Sequence, residues 1–450
     1  MAKPTNEPVK QIHLGVLFPA VNSTTVWSDP EAGSQVAFSS FAHIARTAER
    51  ARFDFLFLGE DLRLREAAGE LYDLDVCGRP DNFTVLAALA AVTDRLGLVA
   101  SVNSTFNEPY EVARQFGSLD HLSAGRAGWN VVTSWSAFTG ENFRRGGYLA
   151  EADRYQRAKQ FLAAARELFG SWPVGEPVAD QEAGAFLGLP APGRFAVRTE
   201  QFDISGHFNV PRSPQNGPVI FQAGDSEEGR EFAASTAEAV FCRHGTLAAG
   251  QAFYADVKRR LGAYGRAPDD LKILPGAAFV LGDTDAEARE RAAHIRRQQV
   301  SGPTAIKQLE QVWNRDLSDC DPDGPLPGID PLVGENTRAQ GWASIRRNAP
   351  DALAIATKWR ALAEEKRLSI RELVIQVTAR QSFVGTPARV ADELVEFVRT
   401  DACDGFVLFP HLVPGGIDDF ADQVVPLLQE RGAFRTEYEG ETLREHLNQR

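Results

Sequence analysis

The sequence predicts an α/β protein that folds as a (β/α)8 barrel. Eight short apolar segments alternate with amphipathic helical segments along the chain, and several are hydrophobic throughout, as parallel strands buried on both faces are. Polar residues follow many of these segments, which is where barrel enzymes carry their active sites. The predicted strands are residues 13–18, 53–58, 96–102, 129–133, 219–222, 239–242, 273–281 and 405–409.

Composition limits the classes of protein to consider. The chain of 450 residues carries a formal charge of −13, which argues against nucleic acid as the main partner. The four cysteines lie far apart and form no C-x-x-C pair, as expected in a reducing compartment. The polar N-terminus lacks the apolar segment of a signal peptide, and no apolar run is long enough to cross a bilayer. We therefore expect a cytoplasmic protein without a membrane partner.

Two long stretches interrupt the alternation of strands and helices. Residues 170–217 are rich in Pro and Gly, and the alternating pattern of residues 195–210 around Gly206 predicts a β-hairpin. Residues 301–386 show no regular strands, so we expect an inserted lid with helices at 352–365 and 370–380. Residues 1–450 are thus predicted to form one barrel domain with two insertions. The remaining predicted helices are residues 41–52, 82–93, 110–122, 154–169, 227–235, 250–261, 285–300, 388–399 and 420–431.

Polar side chains follow four successive predicted strands and are the first candidates for a site. In a parallel barrel these ends lie at one face, where active sites are built. The alternative is that each residue caps a helix or forms a turn. The candidates are Glu60 and Asp61 after the second strand, Asn103, Ser104 and Thr105 after the third, Thr133 and Ser134 after the fourth, and Ser226 after the fifth.

Residues 223–226 are the best local candidate for an anion site. Gly224 lets the backbone approach a ligand, and Ser226 stands where a helix N-terminus presents free N–H groups. The alternative is that Ser226 or Asp225 only caps this helix.

Several common site motifs are absent from the sequence. No two glycines are spaced G-x-G, which excludes the dinucleotide fingerprint, and there is no phosphate-binding G-x-x-x-x-G-K-[ST], H-E-x-x-H or G-x-S-x-G motif. The eight histidines show no metal-ligand spacing, so no metal site is predicted. His13 and His411 lie near the ends of the first and eighth strands, where one could approach a reaction centre; a core or surface role is the alternative.

Several motifs together resemble one family. The chain is similar to the nitrilotriacetate monooxygenase component A group of the bacterial-luciferase-like flavin monooxygenases. The resemblance covers residues 13–245 and 383–399. The matching motifs are GWNVVTS at 128–134, ENF at 141–143, DRY at 153–155, FDFLFLGE at 53–60, NEPY at 107–110, SPQ at 213–215 and QAGDSEEG at 222–229.

The resemblance implies a two-component monooxygenase. Such enzymes take reduced FMN from a separate flavin reductase and use O2, through flavin-peroxide chemistry, to oxidise or cleave a small organic substrate. They are usually dimers or tetramers, so a homodimer or homotetramer is expected. The resemblance places Glu60, or Asp61 in the alternative register, at the flavin. It also places Thr105, Ser134 and Asn130 along the isoalloxazine ring or ribityl chain, and Tyr155, Ser226 and the N–H groups after Gly224 at the phosphate.

Two positions depart from the family pattern. Many members carry His four residues before the tyrosine of the DRY motif, where this chain has Glu151, and Trp135 replaces another histidine. Glu151 is kept among the cofactor-binding candidates, and no catalytic residue is assigned, since the flavin performs the difficult step. Three other functions stay open: a riboflavin-cleaving enzyme of the same family, a non-catalytic flavin-binding barrel, and a deazaflavin-dependent reductase.

Overall fold

A computed structural model describes residues 10–448, except 21, 23, 65, 68–69, 72–78, 135–136, 144–150, 175–178, 188–191, 245, 334–338, 341–350 and 379–381. Within this part of the chain no helix is long and apolar enough to cross a membrane. The strands are β1 (His13–Phe18), β2 (Phe55–Leu58), β3 (Glu66–Ala67), β4 (Glu70–Leu71), β5 (Gly97–Asn103), β6 (Ala127–Val132), β7 (Arg194–Arg198), β8 (Asp203–His207), β9 (Val219–Ala223), β10 (Ala239–Cys242), β11 (Lys272–Leu281), β12 (Ala339–Gln340), β13 (Ser382–Gly385) and β14 (Gly405–Leu408).

Eight parallel strands close into a barrel, which confirms the predicted fold class. Their order is β10-β9-β6-β5-β2-β1-β14-β11, and β10 pairs with β11 to close the ring. Each predicted strand corresponds to one of these eight, with bounds that differ by two residues or fewer. The continuous apolar runs identified them because a barrel strand packs on the interior and on the outer helices at once.

Aromatic side chains fill the barrel interior, and glycines on neighbouring strands make space for them. Phe55 meets Phe221 edge to face, with ring centroids 5.0 Å apart. Gly15 makes room for that ring, because a Cβ atom at Gly15 would lie 2.3 Å from Phe55. Leu443 and Leu447 belong to the same interior cluster. A Cβ atom at Gly97, the first residue of β5, would lie 2.5 Å from Leu443. The C-terminal segment therefore plugs the N-terminal end of the barrel.

Helices surround the barrel and bury their apolar faces against it. Trp129 of β6 points outward to Phe116 and Phe161, with centroids 5.1 and 5.9 Å away. The helices are α1 (Phe38–Arg50), α2 (Asn82–Ala90), α3 (Pro109–Leu122), α4 (Ala137–Gly140), α5 (Glu151–Gly170), α6 (Glu227–Thr236), α7 (Leu247–Leu261), α8 (Asp285–Gln299), α9 (Gly302–Trp313), α10 (Ala352–Lys366), α11 (Ile370–Val377), α12 (Pro387–Arg399), α13 (Val425–Glu430) and α14 (Leu443–His446). A π-helical turn, Phe420–Val424, precedes α13.

A buried ion pair also anchors the N-terminal end of the barrel. The carboxylate of Asp54 accepts a hydrogen bond from Arg435 at 2.5 Å and lies 3.1 Å from His13 Nδ1. Burial would raise the pKa of Asp54, but the guanidinium of Arg435 and the hydrogen bonds of Asp54 with His13 and the Leu14 N–H outweigh it, so the pKa is lowered. His13 is therefore a structural residue, far from the C-terminal ends of the strands. It has the core role and does not lie near the proposed reaction centre.

The first insertion contains the predicted hairpin. β7 and β8 pair antiparallel, with Arg198 opposite Asp203. The turn is closed by the N–H of Thr199, which donates to the carbonyl of Phe202 at 2.8 Å. Gly206 lies inside β8, opposite Phe195. The centre of the alternating pattern thus lies in a strand and not at the turn.

The second insertion has its own core and two strand contacts that the sequence did not predict. α9, α10 and α11 pack together around Trp313, Leu309 and Trp359. β12 pairs antiparallel with β3, in the segment that follows β2, so the insertion reaches across the C-terminal end of the barrel. β13 pairs with the C-terminal half of β11. The expectation that residues 301–386 lack strands was therefore wrong, because β11 extends past the barrel and offers an edge there.

Candidate active site

The order of the strands brings the predicted site residues together. β2, β5, β6 and β9 are consecutive neighbours in the barrel. The segments after them carry Glu60 and Asp61, Thr105, Ser134, and Gly224 with Ser226. These residues therefore occupy one continuous arc at the C-terminal end, and the opposite end is closed by Leu443 and Leu447. A site at this arc has access to solvent from one direction.

Asn103, the last residue of β5, organises the middle of this arc. Its side chain is 1% exposed, and its Oδ1 accepts hydrogen bonds from the N–H groups of Thr105 at 3.1 Å and Phe106 at 2.7 Å. Because Oδ1 is held by two donors, Nδ2 must face the other way, and it donates to Glu60 Oε2 at 3.1 Å. Asn103 was among the strand-end candidates, but the family resemblance gave it no role at the flavin. Its turn-forming amide at a strand end was the available signal.

Glu60 has an environment that favours its neutral form. Burial raises its pKa to about 8; the hydrogen bonds from Asn103 oppose this increase, and the negative charges of Asp61 and Asp81 add to it. Glu60 is therefore protonated at neutral pH. Since Oε2 accepts from Asn103, the carboxyl proton belongs on Oε1, where it can be donated.

Two buried polar atoms in this region lack a partner among the described residues. Asn130 donates from Nδ2 to Ser101 Oγ at 2.9 Å, but its Oδ1 accepts nothing, and the same holds for Thr105 Oγ1. Both residues are 2% exposed. Because Trp129 points outward, Asn130 points into the barrel. A buried polar atom without a partner costs about 1–3 kcal/mol, so both atoms are suited to contact a ligand.

The turn after β9 combines close backbone packing with a capped helix. Ser226 is the N-cap of α6, and its Oγ accepts a hydrogen bond from the N–H of Gly229 at 3.1 Å. A Cβ atom at Gly224 would lie 3.3 Å from Gly229 Cα. Ser226 and Asp225 are exposed. Ser226 therefore does cap α6, and the helix N-terminus beside it is exposed and flanked by two glycines, which is a geometry that suits an anion.

Helix α5 supports the arc from outside. Arg157 donates from Nε to the carbonyl of Ser104 at 2.8 Å and from Nη2 to that of Asn107 at 3.0 Å, which fixes the segment after β5. Apart from its charge, nothing in the sequence pointed to this residue. Tyr155 packs against Phe232 of α6, with ring centroids 6.3 Å apart, and therefore lies near the helix that begins after Ser226.

The remaining predicted residues are placed less fully. Ser134 is half-buried after β6. Glu151 is the first residue of α5, its side chain lies outside the described part, and Trp135 lies outside the described residues. His411 follows β14 at the C-terminal end, and burial lowers its pKa. Within the described residues no group of three or more His, Cys, Asp or Glu side chains could hold a metal.

Comparison with known proteins identifies the family. Residues 13–402 match the model of the luciferase-like monooxygenases. The chain is 39% identical to the N-acetyl-S-(2-succino)cysteine monooxygenase of Bacillus subtilis strain 168, over 97% of this chain and 96% of the relative. It is also 39% identical to nitrilotriacetate monooxygenase component A of Aminobacter aminovorans, with the same coverage.

The fold agrees with solved structures of similar proteins. A riboflavin lyase crystallised with modified FMN and riboflavin superposes with a TM-score of 0.79 and 30% identity, over 97% of this chain and 96% of that one. The resemblance predicted from the motifs is thus confirmed along nearly the whole sequence. The chain belongs to the luciferase-like monooxygenase family of enzymes.

Proposed function

We propose that this monooxygenase uses reduced FMN and O2 to oxidise or cleave a small organic molecule. The observation that carries the proposal is the pair of buried atoms without partners, Thr105 Oγ1 and Asn130 Oδ1, on the same arc as the glycine-flanked N-terminus of α6. This arrangement suits a ligand with a polar ring system and an anionic end. Bound reduced FMN would supply the electrons that activate O2.

The residues present fit FMN by their chemistry. The first N–H groups of α6, the Ser226 hydroxyl and the Tyr155 hydroxyl would hold the phosphate. Asn130 and Thr105 would form hydrogen bonds with the ring or ribityl chain, and Ser134 would extend that row. The aromatic packing below Asn130 would keep water out of the interior. Asn103 would keep Glu60 and the Thr105 N–H in fixed positions.

Glu60 would act as a proton donor at the edge of this site. Its Oε1 proton is available at neutral pH because burial raises the pKa to about 8. Asp61, the adjacent residue, would stay nearer to solvent as the alternative contact. A neutral carboxylic acid can donate a hydrogen bond to a developing negative charge, or deliver a proton to it.

The insertion at residues 301–386 would be a lid that determines the substrate. The pairing of β12 with β3 supports this placement, because β3 follows Glu60 in the segment above β2. The protein would receive reduced FMN from a separate flavin reductase, in keeping with the name component A of a relative. We further expect a homodimer or homotetramer.

The test is anaerobic titration with reduced FMN and reduced riboflavin. We expect Ser226→Ala to weaken binding of FMN about tenfold by removing a phosphate contact, and to leave riboflavin binding nearly unchanged. The matched control is Thr284→Ala, which removes the equivalent N-cap bond of α8, from the N–H of Glu287 at 3.2 Å. Failure of the unmodified protein to bind either flavin would refute the proposal.

A second function is favoured by one observation, the similarity to riboflavin lyase over nearly the whole chain. In that case the flavin would itself be the substrate. Chromatography of the flavins after mixing with O2 separates the two functions. Unchanged FMN, with oxidation of an added organic substrate, supports the monooxygenase, whereas riboflavin that has lost its ribityl chain supports the lyase.

A further inference from the structure

A second cavity lies at the N-terminal end of the barrel, opposite the proposed flavin site. Its volume is about 640 Å³, within the range of small-molecule sites. Pro218 and Ile220 contribute to it from the start of β9, and Glu238 from just before β10. Arg166 and Phe169 of α5 and Arg444 of α14 complete the part of the wall that matters here.

Three arginines line this cavity, and they are not equivalent. Arg266 makes three hydrogen bonds to backbone, donating to the carbonyls of Ala234, Ala237 and Asp270 at 2.9, 2.6 and 2.5 Å. This residue caps the end of α6 and has a structural role.

Arg444 forms an ion pair with Glu238, the one carboxylate among the described residues that line the cavity. The Oε2 atom of Glu238 also accepts a hydrogen bond from the N–H of Ile220 at 2.8 Å. Glu238 is therefore held in place and can neutralise one guanidinium.

Arg166 differs from both, because within the described chain it makes a single hydrogen bond and has no carboxylate partner. Its Nη2 donates to the carbonyl of Thr236 at 2.6 Å, which leaves donors on Nε and Nη1. Burial lowers the pKa of both Arg444 and Arg266, and the like charge of Arg166 lowers both further. Asp120 partly offsets this repulsion at Arg444, and Asp270 does so at Arg266. The side-chain amide of Gln215 donates a hydrogen bond to Asp120 at 2.7 Å, and the N–H of Ala267 donates one to Asp270 at 2.8 Å.

We infer that this cavity binds a small organic anion, through the guanidinium of Arg166 and the neighbouring amide of Asn216, with Arg444 shared between the anion and Glu238. The planar fork of a guanidinium fits the oxygens of a carboxylate or phosphate group. Phe169, Pro218 and Ile220 would contact the carbon skeleton of the ligand. Such a ligand would contact α5, the end of α6, β9 and the C-terminal plug. It would stabilise the protein because it binds the folded state and not the unfolded state.

The test uses pyrophosphate and citrate as probes, on the full-length protein saturated with FMN in a phosphate-free buffer of constant ionic strength. We expect a saturable rise in the melting temperature with at least one probe. Binding of pyrophosphate alone identifies a phosphate ligand, and binding of citrate alone identifies a carboxylate ligand. Saturation with FMN separates this cavity from the proposed phosphate site at Ser226.

Substitution of Arg166 assigns the binding to the cavity. We expect Arg166→Gln to weaken the affinity for the probe by about tenfold or more. The control Arg114→Gln, on the exposed surface of α3 where Arg114 pairs with Glu111 at 2.9 Å, should leave the affinity unchanged. If Arg166→Gln fails to fold, Arg166→Lys keeps the charge without the planar fork and should still bind more weakly. No saturable shift with either probe, or full affinity in the folded Arg166 variant, would overturn the inference.

Discussion

The barrel and the second insertion achieve their packing in opposite ways. The barrel core collects residues from β1 to α14, so its parts meet only when the whole chain is in place. The core of the insertion is local, and its buried members lie between residues 300 and 374. Local contacts cost less loop-closure entropy than distant ones. We therefore predict that the insertion can open, or change in sequence, without loss of the barrel that carries the proposed flavin site.

Among the described residues, α11 and β13 both connect the insertion to the barrel. Arg371 of α11 donates from Nε to the carbonyl of Val300 and from Nη2 to that of Arg297, both at 2.7 Å. β13 returns the chain to the barrel beside β11.

Two matched tryptophans allow the stability of the two regions to be compared. Trp129 in the barrel and Trp313 in the insertion are both fully buried, and each donates its indole N–H to a backbone carbonyl, of Val102 at 3.0 Å and of Ile329 at 2.8 Å.

The largest effect is expected from Trp129→Ala. Removal of a large buried side chain costs about 3–5 kcal/mol, and here the loss applies to global unfolding. We expect a much lower midpoint in urea denaturation, together with loss of flavin binding. Intact flavin affinity with an unchanged midpoint would show that the barrel is not one cooperative unit.

Trp313→Ala should cost a similar free energy but act locally. We expect hydrogen exchange and limited proteolysis to show an opened insertion, while the midpoint of barrel unfolding and the binding of reduced FMN stay close to those of the unmodified protein. Substrate turnover should fall if the insertion is the lid. Unfolding of the barrel in step with the insertion would contradict the independence of the two cores.

The third effect concerns pH and belongs to the barrel alone. Below its ordinary pKa near 4.5, Glu60 is protonated in both the folded and the unfolded states; between that value and about 8 the folded state keeps the proton that the unfolded state loses. The folded state therefore binds more protons in this window, and stability falls as pH rises.

We expect the melting temperature of Glu60→Gln to decline less than that of the unmodified protein between pH 5 and about 8. Glu108→Gln, at an exposed position, is the control and should follow the unmodified protein. Parallel curves for all three proteins would show that Glu60 titrates normally.

The sequence predicted the barrel well because each barrel strand carries its own signal. An apolar run such as residues 55–58 must be buried on both faces wherever its partners lie. β13 was missed because its four residues are a strand only in the presence of the extended β11. Neither the Asn103–Glu60 bond nor the support from Arg157 could be predicted. Each depends on the distance between segments that are far apart in sequence, which periodicity does not encode.

The plug formed by Leu443 and Leu447 also has a consequence for biosynthesis. β1 is synthesised first and the two leucines are synthesised almost last. Until then, the aromatic interior of the nascent barrel is exposed at its N-terminal end. Exposed apolar surface of this kind is what chaperones recognise and what aggregates at high concentration. Slow synthesis would therefore not help this fold to complete itself early, and a bulky fusion placed directly after the plug would interfere with the final step.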